Sequence, residues 1–187
     1  MNGKSRTQVQ IRKLTLAAVF MALTIILSTF SIPVPGGHLY FCDAAICTGA
    51  ILLGDPIYAF IMGGFGSFLG DVFFNPPSMY VSLVTHGLQA AVIALCASKL
   101  LKKGELQEKH PAFARVFAQT IGLLLGAVIM VVGYTLGRAY VYSTPEYAII
   151  KLPFEIIQAL FGVVVALILC APATGLVHAY RRYAGSE

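Results

Sequence analysis

Twelve side chains in this sequence have the types and spacing to hold a small molecule. The segment Ile32–Asp43 reads IPVPGGHLYFCD and carries His38, Tyr40, Phe41 and Asp43 behind a Pro/Gly-shaped turn. A second segment, Asp71–Ser78, reads DVFFNPPS and offers Asp71 and Asn75 beside two phenylalanines. A third, Arg138–Glu155, holds Arg138, Lys151 and Glu155 among tyrosines, with Gln158 one turn further on. His86 and Gln89 stand i, i+3 on one face of an otherwise apolar run. Aromatic rings with a few convergent polar groups are what a small-molecule pocket needs. Arg138 and Lys151 facing inward would favour a ligand with a carboxylate or phosphate.

Each of these residues also has a plainer reading. Aromatic rings at helix ends form interfacial belts, to which Tyr140, Tyr142 and Tyr147 are assigned. A lone boundary cation reaches for headgroups. Lys151 and Glu155, at i, i+4, are expected to form an ion pair. Asp43 sits where it would satisfy free N–H groups at a helix start, whereas Asp71 ends a helix and lacks that role. Polar groups such as His86 and Gln89 inside an apolar span either bond between helices or serve function.

Other chemistries find no support in the motifs. There is no HExxH, no nucleophile elbow, no phosphate-binding loop and no pair of carboxylates on one intramembrane helix. The four cysteines, Cys42, Cys47, Cys96 and Cys170, form no CxxC pair and are read as small helix-contact residues, with Cys42 nearest the outer surface and the one to test for ligand contact. No metal or cofactor is expected. The net charge of +5 is no nucleic-acid signal, because eleven of thirteen Lys and Arg flank apolar spans.

The elements that must position these residues are membrane helices. Leu14–Phe30, Met79–Ser98, Val116–Gly137 and Ile156–Val177 contain no charged residue. Each approaches the ~20 residues a crossing helix needs. The mean hydropathy is +0.80. Basic clusters at the N-terminus (Lys4, Arg6, Arg12, Lys13), over Lys99–Arg115 and at Arg181–Arg182 put both termini and that loop in the cytoplasm. The block 44–70 must then begin and end outside. Gly54-Asp55-Pro56 splits it into two short halves, so it is read as two short helices, with a re-entrant hairpin as the alternative. The expectation is an all-α integral membrane protein: a single domain, 1–187, built as a six-transmembrane-helix bundle with short second and third helices. The helices are placed at about 13–31, 43–54, 56–72, 79–101, 112–138 and 150–179. The first helix is read as retained, since no small-x-small cleavage site follows it. Gly63, Gly66, Ser67 and Gly70 form a smooth stripe that lets neighbouring helices approach.

The run CDAAICTGAILLGDPIYAFIMGG, the following GFGSFLGD, Thr85-His86-Gly87-Leu88, and Leu152-Pro153 with Glu155 and Gln158 resemble the substrate-binding S components of energy-coupling factor (ECF) vitamin transporters. The likeness is greatest to the riboflavin-like branch and spans nearly the whole chain. It implies a six-helix subunit of the cell membrane that captures a vitamin or vitamin precursor from outside. It also implies partners: a membrane coupling subunit and two ATPases. Ala18 and Ala22 match the small residues on the first helix with which such subunits dock. His86 stands where relatives often have Lys, and Arg138 and Glu155 stand where Glu and Asn are common. The readings from other classes are a membrane-embedded enzyme acting on a lipid or prenyl substrate, and a self-sufficient secondary transporter.

Overall fold

The computed structural model describes residues 3–99 and 111–184, with side chains over 7–98 and 113–170. Lys102, Lys103 and Lys109, and the side chains of Lys4, Arg6, Arg181 and Arg182, therefore lie outside the described residues.

Helix α1 (Gly3–Thr29) leads into two short antiparallel strands, β1 (Ser31–Val34) and β2 (Gly37–Tyr40). The helix begins well before residue 13, because Arg, Gln and Lys in the basic lead are good helix formers with no proline among them. At the turn Pro35 supplies a fixed negative φ, and Gly36, at φ +80°, the positive one that the next position requires. The chain is thus not purely helical: the turn seen in the sequence closes a β-hairpin.

Helix α2 (Cys42–Leu53) ends at Gly54, in the left-handed region, whose N–H reaches the Ala50 carbonyl at 3.1 Å. Asp55 then starts α3 (Pro56–Phe74), with its Oδ1 accepting from the Ile57 and Tyr58 amides and Pro56 in the first turn. Its Oδ2 also meets Lys13 Nζ at 2.7 Å. Partial burial pushes this carboxyl up, but Lys13 and the two amides outweigh it and hold it below the ordinary aspartate value. A π turn over Ile61–Phe65 interrupts α3 at its paired glycines. A Cβ on Gly63 would come within 2.8 Å of Ala90 and of the His86 carbonyl, so the glycine sets how closely α3 lies on the next helix.

Helices α4 (Met79–Lys99), α5 (Pro111–Gly137) and α6 (Pro145–Ala184) complete the fold. Helix α5 starts at Pro111, one residue before the expected 112, and proline's missing N–H costs nothing in a first turn. Another π turn, Arg138–Tyr142, follows α5.

Among the described residues five helices are long and apolar enough to cross a bilayer; α2 is apolar but shorter. Around the bundle α1 packs on α3, α3 on α4, α4 on α5 and α5 on α6. Helix α2 fills the centre against α1, α4 and α6, and nearly every one of its residues is buried. The outer surface carries large exposed apolar side chains, among them Ile57, Val128, Ile149 and Ile168. In a chain this apolar, that surface belongs against lipid.

Candidate functional site

A cavity of about 430 Å³, counting its open mouth, lies under the hairpin among the six described helices. Its walls come from all six described helices, with Cys42 the contribution of α2, and from β2, so no single segment of sequence contains it. Of the residues singled out in the sequence, His38, Tyr40, Asp71, Asn75, His86, Arg138, Lys151, Glu155 and Gln158 line it. Asp43 and Gln89 stand behind the wall and hold it. Phe41 turns elsewhere and packs edge-on against Phe161, with ring centroids 5.4 Å apart.

Asp43 is completely buried. It does not cap α2, contrary to the plainer expectation. Its Oδ1 accepts from Gln89 Nε2 at 3.0 Å and its Oδ2 from Gln158 Nε2 at 2.7 Å. Gln89 passes the connection on to His86, with Oε1 2.6 Å from Nδ1, and His86 Nδ1 lies 3.8 Å from Asp43. Gln158 Oε1 accepts from the Tyr40 backbone N–H at 3.0 Å. One carboxylate thereby ties α2, α4, α6 and the hairpin together. A buried carboxylate is tolerated only when its oxygens are satisfied in this way.

A second carboxylate organises the other wall. Asp71 Oδ2 accepts from Ser78 Oγ at 2.6 Å and from Ser82 Oγ. Ser78 in turn accepts from Asn75 Nδ2 at 2.8 Å, and Ser82 lies 2.5 Å from the Tyr134 hydroxyl. Ser78, Ser82 and Tyr134 were missed in the sequence, since single hydroxyls are common in apolar helices. The available signal was the spacing of four between Ser78, just before α4, and Ser82, in its first turns.

The cations hold the hairpin. Lys151, only 2% exposed, donates to the His38 carbonyl at 2.6 Å. Arg138 donates from one Nη to the Gly36 carbonyl at 3.0 Å and from the other to Glu155 Oε1 at 3.0 Å. The expected Lys151–Glu155 ion pair is therefore absent among the described residues, and each group has taken another partner. Tyr142 also departs from the aromatic belt: its ring lies under the Arg138 guanidinium at 5.3 Å, whereas Tyr140 and Tyr147 are exposed. Burial, helped by Asp71 and Cys42 and opposed by Arg138, pushes the Tyr40 phenol up to about 12, so it stays neutral near pH 7.

Cys42, Asp43 and His86 offer ligand atoms within 4.8 Å of one another. This cluster does not suit a metal ion, because both Asp43 oxygens and His86 Nδ1 are already committed to amide groups.

Comparison with known proteins agrees in kind. A family model described as "ECF-type riboflavin transporter, S component" matches residues 8–174. The thiamine precursor transporter HmpT of Lactococcus lactis subsp. cremoris (strain MG1363) is 32% identical over 181 residues, covering 92% of this chain and 95% of that protein.

Proposed function

The chain belongs to the family of ECF-type riboflavin transporter S components, multi-pass cell-membrane transport proteins and not enzymes, and from that premise we propose that it is the substrate-binding subunit of an ATP-driven importer. It captures a vitamin or vitamin precursor from outside and releases it into the cytoplasm. The observation that carries this reading is the cavity roofed by a hairpin and lined by residues from all six described helices. Neither the family's title nor the relative's fixes the substrate.

In this reading all six helices cross or enter the bilayer, the hairpin end faces outside, and both termini lie in the cytoplasm with the basic clusters. Nine of the twelve residues that open the sequence analysis form the site, with Asp43 and Gln89 as its support and Phe41 outside it. The partners are a membrane coupling subunit and two ATPases. Ala18 and Ala22 are exposed on α1, while Ala17 beside them is buried in the bundle. That division supports an outward docking face, free of duties inside the fold.

Native mass spectrometry of the gently purified protein, with released small molecules identified, tests the proposal. A stoichiometric vitamin-like compound, together with co-purifying ATPase subunits, is the expected result. An empty protein that ignores a panel of vitamins would overturn it.

A further inference from the structure

A groove on the outside of the bundle belongs neither to the cavity under the hairpin nor to the exposed face of α1. It runs between α5 and α6, about 610 Å³ counting its open side, and is lined only by aliphatic side chains. Ala127 and Ala159, both buried, form its floor, and the half-exposed Leu124, Val128 and Leu160 stand at its edges. Small residues at both floor positions leave the hollow. The walls hold it open, since its three valines and one isoleucine are β-branched and stiff at χ1.

The groove takes in residues 124–132 of α5 and 156–160 of α6, which lie at least ten residues, or ~15 Å of rise, inside the apolar spans Phe113–Tyr142 and Pro145–Cys170. At that depth a multi-pass membrane protein is bathed in hydrocarbon, and the groove opens directly onto the exposed apolar surface that meets it. Water has no polar partner in such a recess, and an empty one would forfeit the contacts of its lining. Two apolar occupants remain, an acyl chain and a partner's transmembrane helix, and the width decides between them. Spread over the ~12 Å that 124–132 rise, the volume gives a cross-section of roughly 50 Å², against roughly 80–110 Å² for a helix with its side chains. A helix does not fit; an alkyl chain laid along α5 does. Among the described residues no polar side chain lines the groove, so a headgroup finds nothing there to bind.

We propose that this groove is a lipid site, holding an acyl chain of a bilayer phospholipid by shape and without regard to its headgroup. The chain packs on the back of the partition that α5 and α6 form beside the cavity, whose other side presents Met130, Tyr134, Glu155 and Gln158. The site is independent of which substrate the cavity takes.

The sequence contains no tryptophan, so a single introduced indole reports alone. Leu124→Trp places it at the groove. Leu88→Trp places it on α4 at a control position that is also deep in its span and equally exposed, 47% against 48%. Each full-length variant is reconstituted into vesicles of phosphatidylglycerol with mid-chain dibrominated acyl chains, which quench indole on contact. It is then extracted and washed in maltoside detergent. Leu124→Trp is expected to keep most of its vesicle quenching through the wash, while Leu88→Trp loses it. Brominated phosphatidylcholine should be retained equally well. Ala159→Phe, added to Leu124→Trp, fills the floor and should abolish the retained quenching; the comparison of the two reporters does not depend on that variant's folding. Equal recovery of both reporters overturns the proposal, because the chain is then ordinary boundary lipid that detergent replaces. Retention that depends on the headgroup overturns it too. So does loss of quenching at Leu124→Trp in the complete transporter, which would make the groove a docking face for the coupling subunit.

Discussion

Lys151→Met isolates what holds the hairpin over the cavity. The methionine keeps most of the aliphatic stem, against which Gly36 packs closely, and removes only the ammonium that meets the His38 carbonyl. A hydrogen bond from a charged donor contributes about 1.5–3 kcal/mol. At 1.36 kcal/mol per decade that range corresponds to ~13- to ~160-fold in the equilibrium for local hairpin opening. Two anchors remain, Arg138 on Gly36 and Gln158 on the Tyr40 amide, so the hairpin should loosen without detaching. Global stability should not fall in step, because a cation only 2% exposed in an apolar bundle bears a desolvation cost that methionine lacks. Hydrogen exchange followed by mass spectrometry in nanodiscs reads both: faster exchange over residues 37–40, with unchanged protection in α2. Ligand dissociation should accelerate by a similar factor. Unchanged exchange at the hairpin would refute the reasoning, and an equal loss of protection throughout would show that Lys151 supports the bundle and not the hairpin.

Other expectations follow from the same contacts. Gln158→Leu strips one of the two amides from Asp43 and should lower stability by about 1–3 kcal/mol, read as a drop in thermal midpoint in detergent, since a buried acceptor is left unpaired. Ala18→Trp places a large ring on the exposed side of α1 and should leave ligand affinity within twofold while abolishing uptake in cells carrying the full transporter. Asp55→Ala removes a helix cap and should cost about 1 kcal/mol in unfolding experiments. The Lys13–Asp55 pair depresses the Asp55 carboxyl, so its stabilisation is present at neutral pH and disappears as pH falls through the folded-state value, below 3.8. Being partly exposed, the pair itself should contribute at most about 1 kcal/mol, and a double-mutant cycle with Lys13→Ala at pH 7 measures it.

The apolar spans were legible because hydrocarbon penalises charge so heavily that its absence marks a helix. The same penalty exposed Asp43, His86, Gln89 and Gln158, for a polar group in such a run must have a partner. What the sequence could not reveal was which partner. Lys151 and Glu155 share a helix face and attract each other, yet the His38 backbone carbonyl, 113 residues away in the hairpin, claims the lysine and Arg138 claims the glutamate. The hairpin itself was hidden because four-residue strands leave no periodicity to read, only the Pro-Gly turn between them. Ser82 and Tyr134 escaped notice because a hydroxyl in a helix usually satisfies itself on the preceding turn, as Thr24 and Ser28 do here.

The shortness of α2 acts as a ruler. Its 12 residues rise only ~18 Å, against ~28 Å for the 19 residues of α3, although both start from the turn at Asp55. The missing turns are the space into which the hairpin descends, and Asp43 sits at the level where the helix stops. How far the recess sinks is therefore written in a residue count, separate from the identities of the residues that line it. Four residues inserted near the middle of α2 would raise Asp43 by ~6 Å and push the hairpin out of its seat. Chains built on this plan can change what they hold by substitution, while the depth at which they hold it is kept by the length of one helix.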